Sequence, residues 1–481
     1  MGDPVVRLEA IEIQNFKNVK KGQLNFVNRR KNYRASILGL YGQNGSGKTA
    51  LIDAMDLLKH ILCGKVIPAR MADYIHVDAE YAALFYQFRV TDMEGCYEVF
   101  YECKIRREAE MAEENVDLPE TQDPKPRVTL FDEVLSYSYE SKNEKIRKGP
   151  FIDTRTERVF VPVSKYESLF GKEKETEMRL MVAKKIAEQT SRSFVFSREL
   201  LNETRKQSLS RDVEVHPKQD LEFMRHQKLL ERLIFYGNYE LFVIRTANTG
   251  MISMDALPLI FQYRDNQRRT VGKLMIPLEK PAVVPQEQVE IVEKVLQDMN
   301  LVLKQIVPGL TIGVRELGTQ VLEQGGLGVR IQLVSHKNSK EIPLRDESEG
   351  IKKIISVLHL LIVIYNQSSI TVAIDELDSG VFEYLLGEIL RIISEKGKGQ
   401  LLFTSHNLRP LETLDRGFIA FTTTNPENRY IRLMNVKDTH NLRDFYFRDI
   451  VLGEQKENVY EPTNNAEIAL AFREAGEGSG S

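Results

Sequence analysis

The chain has 481 residues, enough for two or three domains, and 42% hydrophobic with 28% charged residues is the balance of a soluble globular protein with room for a sizeable core. A formal net charge of −3 and a pI near 6.3 lend no support to a polyanion-binding chain, so any DNA contact would need a local basic patch. Cys63, Cys96 and Cys103 are odd in number and lack metal-ligand spacing, which suits free thiols in a reducing cytoplasm. The N-terminus has no secretory pattern, and the longest apolar stretch, Ile354 to Tyr365, is too short to span a bilayer.

Val5 to Ile13 alternates apolar and polar residues and predicts a strand, and Leu24 to Val27 predicts a second. Ala35 to Tyr41 is a largely apolar run, as expected of a buried strand, and it leads into a glycine-rich loop. Ala50 to Leu62 then carries apolar residues at helical spacing. Ala83 to Val90 and Cys96 to Ile105 predict strands around a turn at Gly95. The acidic, proline-bearing stretch from Arg106 to Pro126 predicts an exposed loop.

Between about Glu140 and Pro285 helical periodicity dominates, as in Leu221 to Tyr236, and Val289 to Ile306 is a clearer amphipathic helix. No heptad pattern persists long enough for a long coiled coil. Strands return at Thr311 to Arg315 and Val329 to Val334. A helix (Gly350 to Asn366), a strand into Asp375, a helix (Val381 to Ser394) and a strand into His406 follow. This order predicts an α/β fold split into a first lobe at 1–139, a mostly helical insertion at 140–309, a second lobe at 310–455 and a C-terminal tail at 456–481. Its last residues, Gly476 to Ser481, suggest a flexible end.

Four motifs carry chemistry. In Gly42-Gln43-Asn44-Gly45-Ser46-Gly47-Lys48-Thr49, glycines let backbone N–H groups turn inward around phosphates at a helix N-terminus, continuing into Ala50. Lys48 would neutralise the β- and γ-phosphates and the Thr49 hydroxyl would ligate Mg²⁺, making ATP and Mg²⁺ the expected ligands. Ile370 to Glu376 is a β-branched run ending in two carboxylates. Asp375 is expected near the Mg²⁺, with Glu376 as general base for an attacking water, a second carboxylate that argues for hydrolysis over phosphoryl transfer. Leu401 to Asn407 is another buried strand ending in His406, placed to meet the γ-phosphate or that water. In Asp346-Glu347-Ser348-Glu349-Gly350-Ile351-Lys352-Lys353, Ser348 and Gly350 open a helix, which reads as an N-cap or as a further anion site.

Together these motifs resemble the ABC-type ATPase head, with split, mixed sheets and flanking helices. The opening Leu8 to Asn18 resembles the first strand of the RecF, SMC and OLD branch, and the Asp346 to Lys353 signature is most similar to stand-alone OLD-like ATPases such as those of the PARIS anti-phage system. The resemblance covers roughly the first hundred residues and Leu310 to about Leu452. It implies head-to-tail dimers, or higher homo-oligomers, in which Ser348 and Gly350 reach the ATP of a second copy in trans and Asp378 sits at the dimer interface. It also implies a cytoplasmic sensor or scaffold of bacterial anti-phage defence, triggered by DNA or a phage protein and controlling a separate toxic effector, a nuclease by expectation. About thirty residues follow Leu452 (481 − 452 = 29), too few for a nuclease domain in the same chain. RecF-like DNA maintenance is the alternative, and a transporter subunit is disfavoured by the insertion and the altered signature.

Weaker signals remain. Gln87 is the one candidate for a glutamine loop, although it reads more simply as a strand residue. Gly325 to Gly328 reads as a hairpin turn, and Arg345 could help hold phosphate. Arg29-Arg30-Lys31 with Arg34, plus Lys17, Lys20 and Lys21, could contact DNA or form a solvated loop, and Phe445-Tyr446-Phe447 could dock a partner or pack in the core.

Overall fold

The structure, a computed structural model, describes residues 4–28, 34–109, 126–210, 217–245, 256–265, 268–322, 325–338, 340–434, 441–453 and 455–477. Arg29-Arg30-Lys31, most of the acidic stretch after Arg106, and 478–481 lie outside the described residues.

The alternation at the N-terminus becomes β1 (Val5–Phe16), followed by β2 (Val19–Asn25), β3 (Ser36–Tyr41) and helix α1 (Lys48–Leu62). Long strands β4 (Tyr81–Thr91), β5 (Gly95–Ala109), β6 (Pro126–Ser141) and β7 (Lys145–Asp153) come next. They form an antiparallel sheet in the order β2-β1-β4-β5-β6-β7. Period-2 patterning gives it one core face, with Leu8, Ile13, Phe88, Val99 and Tyr101 all buried. Gln87 is a half-buried residue of β4 that donates to Glu9 at 3.5 Å, as suits an ordinary strand position.

The span 140–309 contains helices α2 (Val163–Phe170), α3 (Lys174–Gln189), α4 (Arg198–Ser210), α5 (Pro217–Phe235) and, after an interval, α6 (Gln286–Ile306). It also supplies strands: β7 itself, β8 (Leu241–Ile244), the hairpin of β9 (Ala256–Asp265) and β10 (Arg268–Pro277), and β11 (Ala282–Pro285). Helical periodicity thus describes 163–235 and 286–306, but not the short strands around them. β8 has only four residues, too few to show a period of two.

β12 (Thr311–Val321), β13 (Leu327–Lys337) and β14 (Lys340–Pro343) form a small sheet with β11, and the expected hairpin at Gly325–Gly328 joins β12 to β13. Then come α7 (Glu349–Asn366), β15 (Thr371–Ile374), α8 (Glu383–Lys396), β16 (Gln400–Thr404), α9 (Arg409–Thr413), β17 (Ile419–Thr422), β18 (Tyr430–Ile431), α10 (Leu442–Leu452) and α11 (Asn465–Glu477). Among the described residues no helix is long and apolar enough to cross a membrane. Phe445 and Tyr446 pack inward while Phe447 is exposed, which divides that aromatic cluster between core and surface.

The second large sheet runs β18-β17-β3-β16-β15-β8, parallel except for β18. β15 and β16 are buried along their whole length, as strands covered on both faces must be. Helix α1 lies between the two sheets: Leu51, Ile52, Met55, Leu57, Leu58 and Ile61 share one cluster with Leu8 and Tyr86 of the first sheet and Leu40 and Leu402 of the second. The fold is therefore mixed α/β, with flanking helices and a split core, as its sequence pattern predicts.

One buried side chain ties the two sheets together. Gln400, at the start of β16, donates from Nε2 to Leu8 O at 2.8 Å and accepts the Leu8 N–H at 2.8 Å. Removing both partners at once leaves a buried N–H and C=O unpaired, at about 1–3 kcal/mol each. Gln400→Ala is expected to lower stability by about 2–4 kcal/mol, measured as a reduced denaturant midpoint; an unchanged midpoint would show that the clamp contributes nothing.

Candidate functional site

The carboxyl ends of the parallel strands meet in register. Leu40 pairs with Thr404, Phe421 with Tyr41, and Ile374 with both Phe403 and Ile244. The loops after β3, β15 and β16 therefore open at one edge, where open α/β sheets bind ligands.

After β3 the chain needs three left-handed glycines, with φ of 150° at Gly42, 74° at Gly45 and 98° at Gly47. Gly42 is also constrained by space: a Cβ there would sit 1.7 Å from the Thr422 hydroxyl. The loop is braced from outside. Ser46 Oγ lies 2.5 Å from both Gln43 O and Thr422 Oγ1, Asn18 Nδ2 donates to Gly45 O, and Tyr430 OH donates to Gly47 O at 2.9 Å. Arg429 donates to Asn18 O at 2.7 Å and Thr423 O at 2.6 Å, fastening those braces to each other. From the C-terminal segment, the Glu461 N–H donates to Gln43 Oε1 at 3.0 Å.

Helix α1 starts without a side-chain cap at Gly47 and without an acidic residue in its first turn, so its N-terminal N–H groups and dipole have no anion from the chain itself. Lys48 is 7% exposed, and its Nζ donates to Gly42 O at 2.8 Å and Gln43 O at 3.0 Å. Burial lowers its pKa, opposed by the charges of Asp375, Glu376 and Asp378. Asn44, Gly45 and Thr49 are exposed, while Ala50 is buried behind them. A buried ammonium resting, among the described residues, on carbonyls of its own loop, beside an uncapped helix start, fits a polyphosphate.

Asp375 follows β15 and is 4% exposed. Its N–H donates to Ile244 O at 3.0 Å, and its Oδ1 accepts the Thr404 hydroxyl at 2.6 Å. The same hydroxyl accepts the Glu376 N–H at 2.7 Å, so Thr404 fixes both carboxylate residues. Glu376 is half-buried and adopts φ of 48°, a left-handed conformation that costs a residue with a side chain about 1–3 kcal/mol and persists only where neighbours hold it. Lys353 Nζ supplies one such contact, donating to Glu376 O at 3.2 Å.

His406 is exposed just beyond β16. Asp378 Oδ2 accepts the backbone N–H groups of His406 at 3.0 Å and Asn407 at 2.9 Å, so within this chain Asp378 joins the two loops that carry Glu376 and His406. Ser348 is the exposed N-cap of α7, accepting the Ile351 N–H at 3.4 Å. Gly350 lies against the loop after Glu376: a Cβ there would meet Gly380 O at 2.3 Å. The signature is thus tied to the Glu376 loop rather than to Gly42–Thr49. Arg345 is exposed beside Asp346, at 3.5 Å.

Sequence reasoning missed a buried ionic cluster under the loop. Asp53 and Asp56, both 0% exposed on α1, face Arg245, whose guanidinium lies 2.7 Å from Asp53 and 3.5 Å from Asp56. Lys17 also pairs with Asp53, and Arg70 reaches Asp56 at 3.2 Å. Burial raises the Asp53 pKa, opposed by Lys17 and Arg245. The one available signal was two aspartates three residues apart among the apolar residues of the helix from Ala50 to Leu58. Arg245 follows β8 directly, beside Asp375, so the cluster links α1 to the strand flanking the carboxylate pair.

Lys48→Ala is expected to lower ATP affinity by at least about tenfold, since a charge-assisted contact is worth roughly 1.5–3 kcal/mol. Titration with a fluorescent ATP analogue reads this, and unchanged affinity would remove Lys48 from the site.

The family model of the AAA ATPase domain (AAA_15) matches residues 7–409. No curated protein matches the chain. Among solved structures, the chain is similar to the SMC head domain from Thermotoga maritima, with 13% identity over 89% of this chain and 99% of that one and a TM-score of 0.35. It is also similar to a Pyrococcus furiosus Smc head bound to the C-terminal domain of ScpA, with 12% identity over 89% and 96% and a TM-score of 0.37. The recombination mediator RecF with ATP gives 15% identity over 84% and 94% and a TM-score of 0.33. With its glycine-rich loop, carboxylate pair and most of its described core inside the matched span, the chain belongs to the AAA ATPase domain family.

Proposed function

We propose that the chain is a Mg²⁺-dependent ATPase of ABC type that hydrolyses ATP between two copies arranged head to tail. The observation that carries this is the convergence of Lys48, Asp375 and Glu376 at one sheet edge while Ser348 remains exposed at the start of α7. A loop that already holds a buried cation and an uncapped helix start needs only a polyphosphate to satisfy both.

Lys48 exchanges its two loop carbonyls for β- and γ-phosphate oxygens, and the N–H groups from Asn44 to Ala50 bind the remaining oxygens. Thr49 and Asp375 would hold the Mg²⁺, which when bound would neutralise phosphate charge. Glu376 takes the proton of the attacking water, and His406 orients that water or the γ-phosphate. Ser348 and Gly350 approach the γ-phosphate bound by the other copy, presenting the N-terminus of an 18-residue helix.

The wider role rests on the form of the signature from Asp346 to Lys353, which resembles that of OLD-like anti-phage ATPases. In this role the ATP-bound pair, or a higher oligomer built from it, senses DNA or a phage protein in the bacterial cytoplasm and controls a separate effector, by expectation a nuclease. Purification of the ATP-bound chain from its own host should retain that effector. ATP-dependent duplex binding with a steep salt dependence would favour the RecF-like role instead.

Glu376→Gln is expected to slow hydrolysis by about 10²–10⁴-fold while ATP still binds. In excess ATP the variant should accumulate as a dimer in light scattering, and a monomer with ATP bound would contradict the paired arrangement. Ser348→Arg and Lys48→Ala should each be inactive alone. Mixed, they can assemble one intact composite site per heterodimer, so turnover should return in part; no recovery would place the whole site within one chain.

A further inference from the structure

Lys353 lies five residues after Ser348 on α7, yet it is turned inward and only 5% exposed. Its neighbour Lys352 faces the other way, toward Glu349 at 2.5 Å and Glu279 at 3.4 Å. A buried ammonium is tolerated where carbonyls and carboxylates replace water. For Lys353 these include the backbone carbonyl of Glu376 at 3.2 Å and the charges of Asp378, Glu376 and Asp375, which partly offset the burial that brings its pKa down to about 8.

The contact falls at a strained point. Glu376 has φ of 48°, and its peptide groups are held on both sides: the N–H by the Thr404 hydroxyl at 2.7 Å, the C=O by Lys353. Four residues further on, Gly380 O lies so close to Gly350 that no Cβ fits between them. The first two turns of α7 and the loop from Glu376 to Gly380 are therefore in contact at two places, one steric through Gly350 and one charged through Lys353. A shift of the α7 N-terminus must move the Lys353 ammonium relative to the carbonyl that it holds.

We infer that Lys353 is a positioning residue: it transmits the seating of the signature helix α7 to Glu376, keeping that residue in the left-handed conformation that aims its carboxylate. Engagement of Ser348 by ATP on a second copy would then be felt at Glu376 of the same chain. The inference rests on Glu376 being the hydrolytic base.

The test compares Lys353→Gln and Lys353→Arg with Glu376→Gln, reading ATP affinity and single-turnover hydrolysis separately. Lys353→Gln is expected to bind ATP within about threefold of the parent and to hydrolyse it roughly 10- to 100-fold more slowly, the scale of a misplaced catalytic group. Lys353→Arg, which keeps the charge and the donors, should recover most of the rate. Combining Lys353→Gln with Glu376→Gln should slow hydrolysis no further than Glu376→Gln alone, because both act through one carboxylate. Full activity of Lys353→Gln beside a slow Glu376→Gln would overturn the inference alone. A parallel loss of affinity and rate, or additive losses in the double variant, would also overturn it. Full activity of Glu376→Gln would instead overturn the hydrolytic reading beneath it. Should Lys353→Gln not fold, an Arg variant that folds and hydrolyses as slowly as Glu376→Gln would count against the inference, and one near the parent rate would support it.

Discussion

Everything at this site depends on one helix being buried on all sides. Helix α1 carries apolar residues around its circumference and lies between an antiparallel and a parallel sheet, so it cannot tilt without opening both cores. That rigidity leaves one polar feature free for chemistry, the uncapped N-terminus at Gly47 and Lys48. The same burial makes Asp53 and Asp56 costly unless they are paired, and Lys17, Arg70 and Arg245 pair them. The ionic cluster thus follows from placing aspartates on a helix with no solvent-facing side, and it fastens α1 to the end of β8.

Around this fixed helix, a few short polar bridges determine where Asp375, Glu376 and His406 stand. The Thr404 hydroxyl bonds to Asp375 and to the Glu376 N–H, while Asp378 holds the backbone of His406 and Asn407. The two loops after β15 and β16 become one unit through two side chains. A local left-handed residue can persist there because its N–H and C=O are both engaged, so the strain at Glu376 is held by the surrounding framework. The signature helix reaches the same unit through Gly350 and Lys353, whereas the phosphate loop is braced from the other direction by Thr422, Arg429 and Tyr430.

Much of this was legible in the sequence where the signal is local. The apolar run Ala35–Tyr41 before a glycine-rich loop, and the β-branched run into Asp375, announce buried strands that end in chemistry, and the structure has β3 and β15 there. Amphipathic periodicity located α6 and α7 to within a few residues. Less legible were β8, four apolar residues inside a helical stretch, and the strands β9 to β11. A four-residue strand gains its identity by pairing with β15, and no window of its own sequence contains that partner.

By itself the sequence determined where a glycine-rich loop runs into a helix start and which carboxylates stand at a strand end, because glycine geometry, helix starts and strand periodicity act between near neighbours. Only the tertiary structure decided how those residues are held: Gln400 on Leu8, Arg429 on Asn18, Arg245 on Asp53 and Lys353 on Glu376. The first three of these pairs join distant parts of the chain, brought together when two sheets close over α1, and the fourth joins the neighbouring elements α7 and β15 through tertiary packing. Burial then gives each contact its weight, since a polar group left unpaired in that interior costs a sizeable share of the chain's net stability.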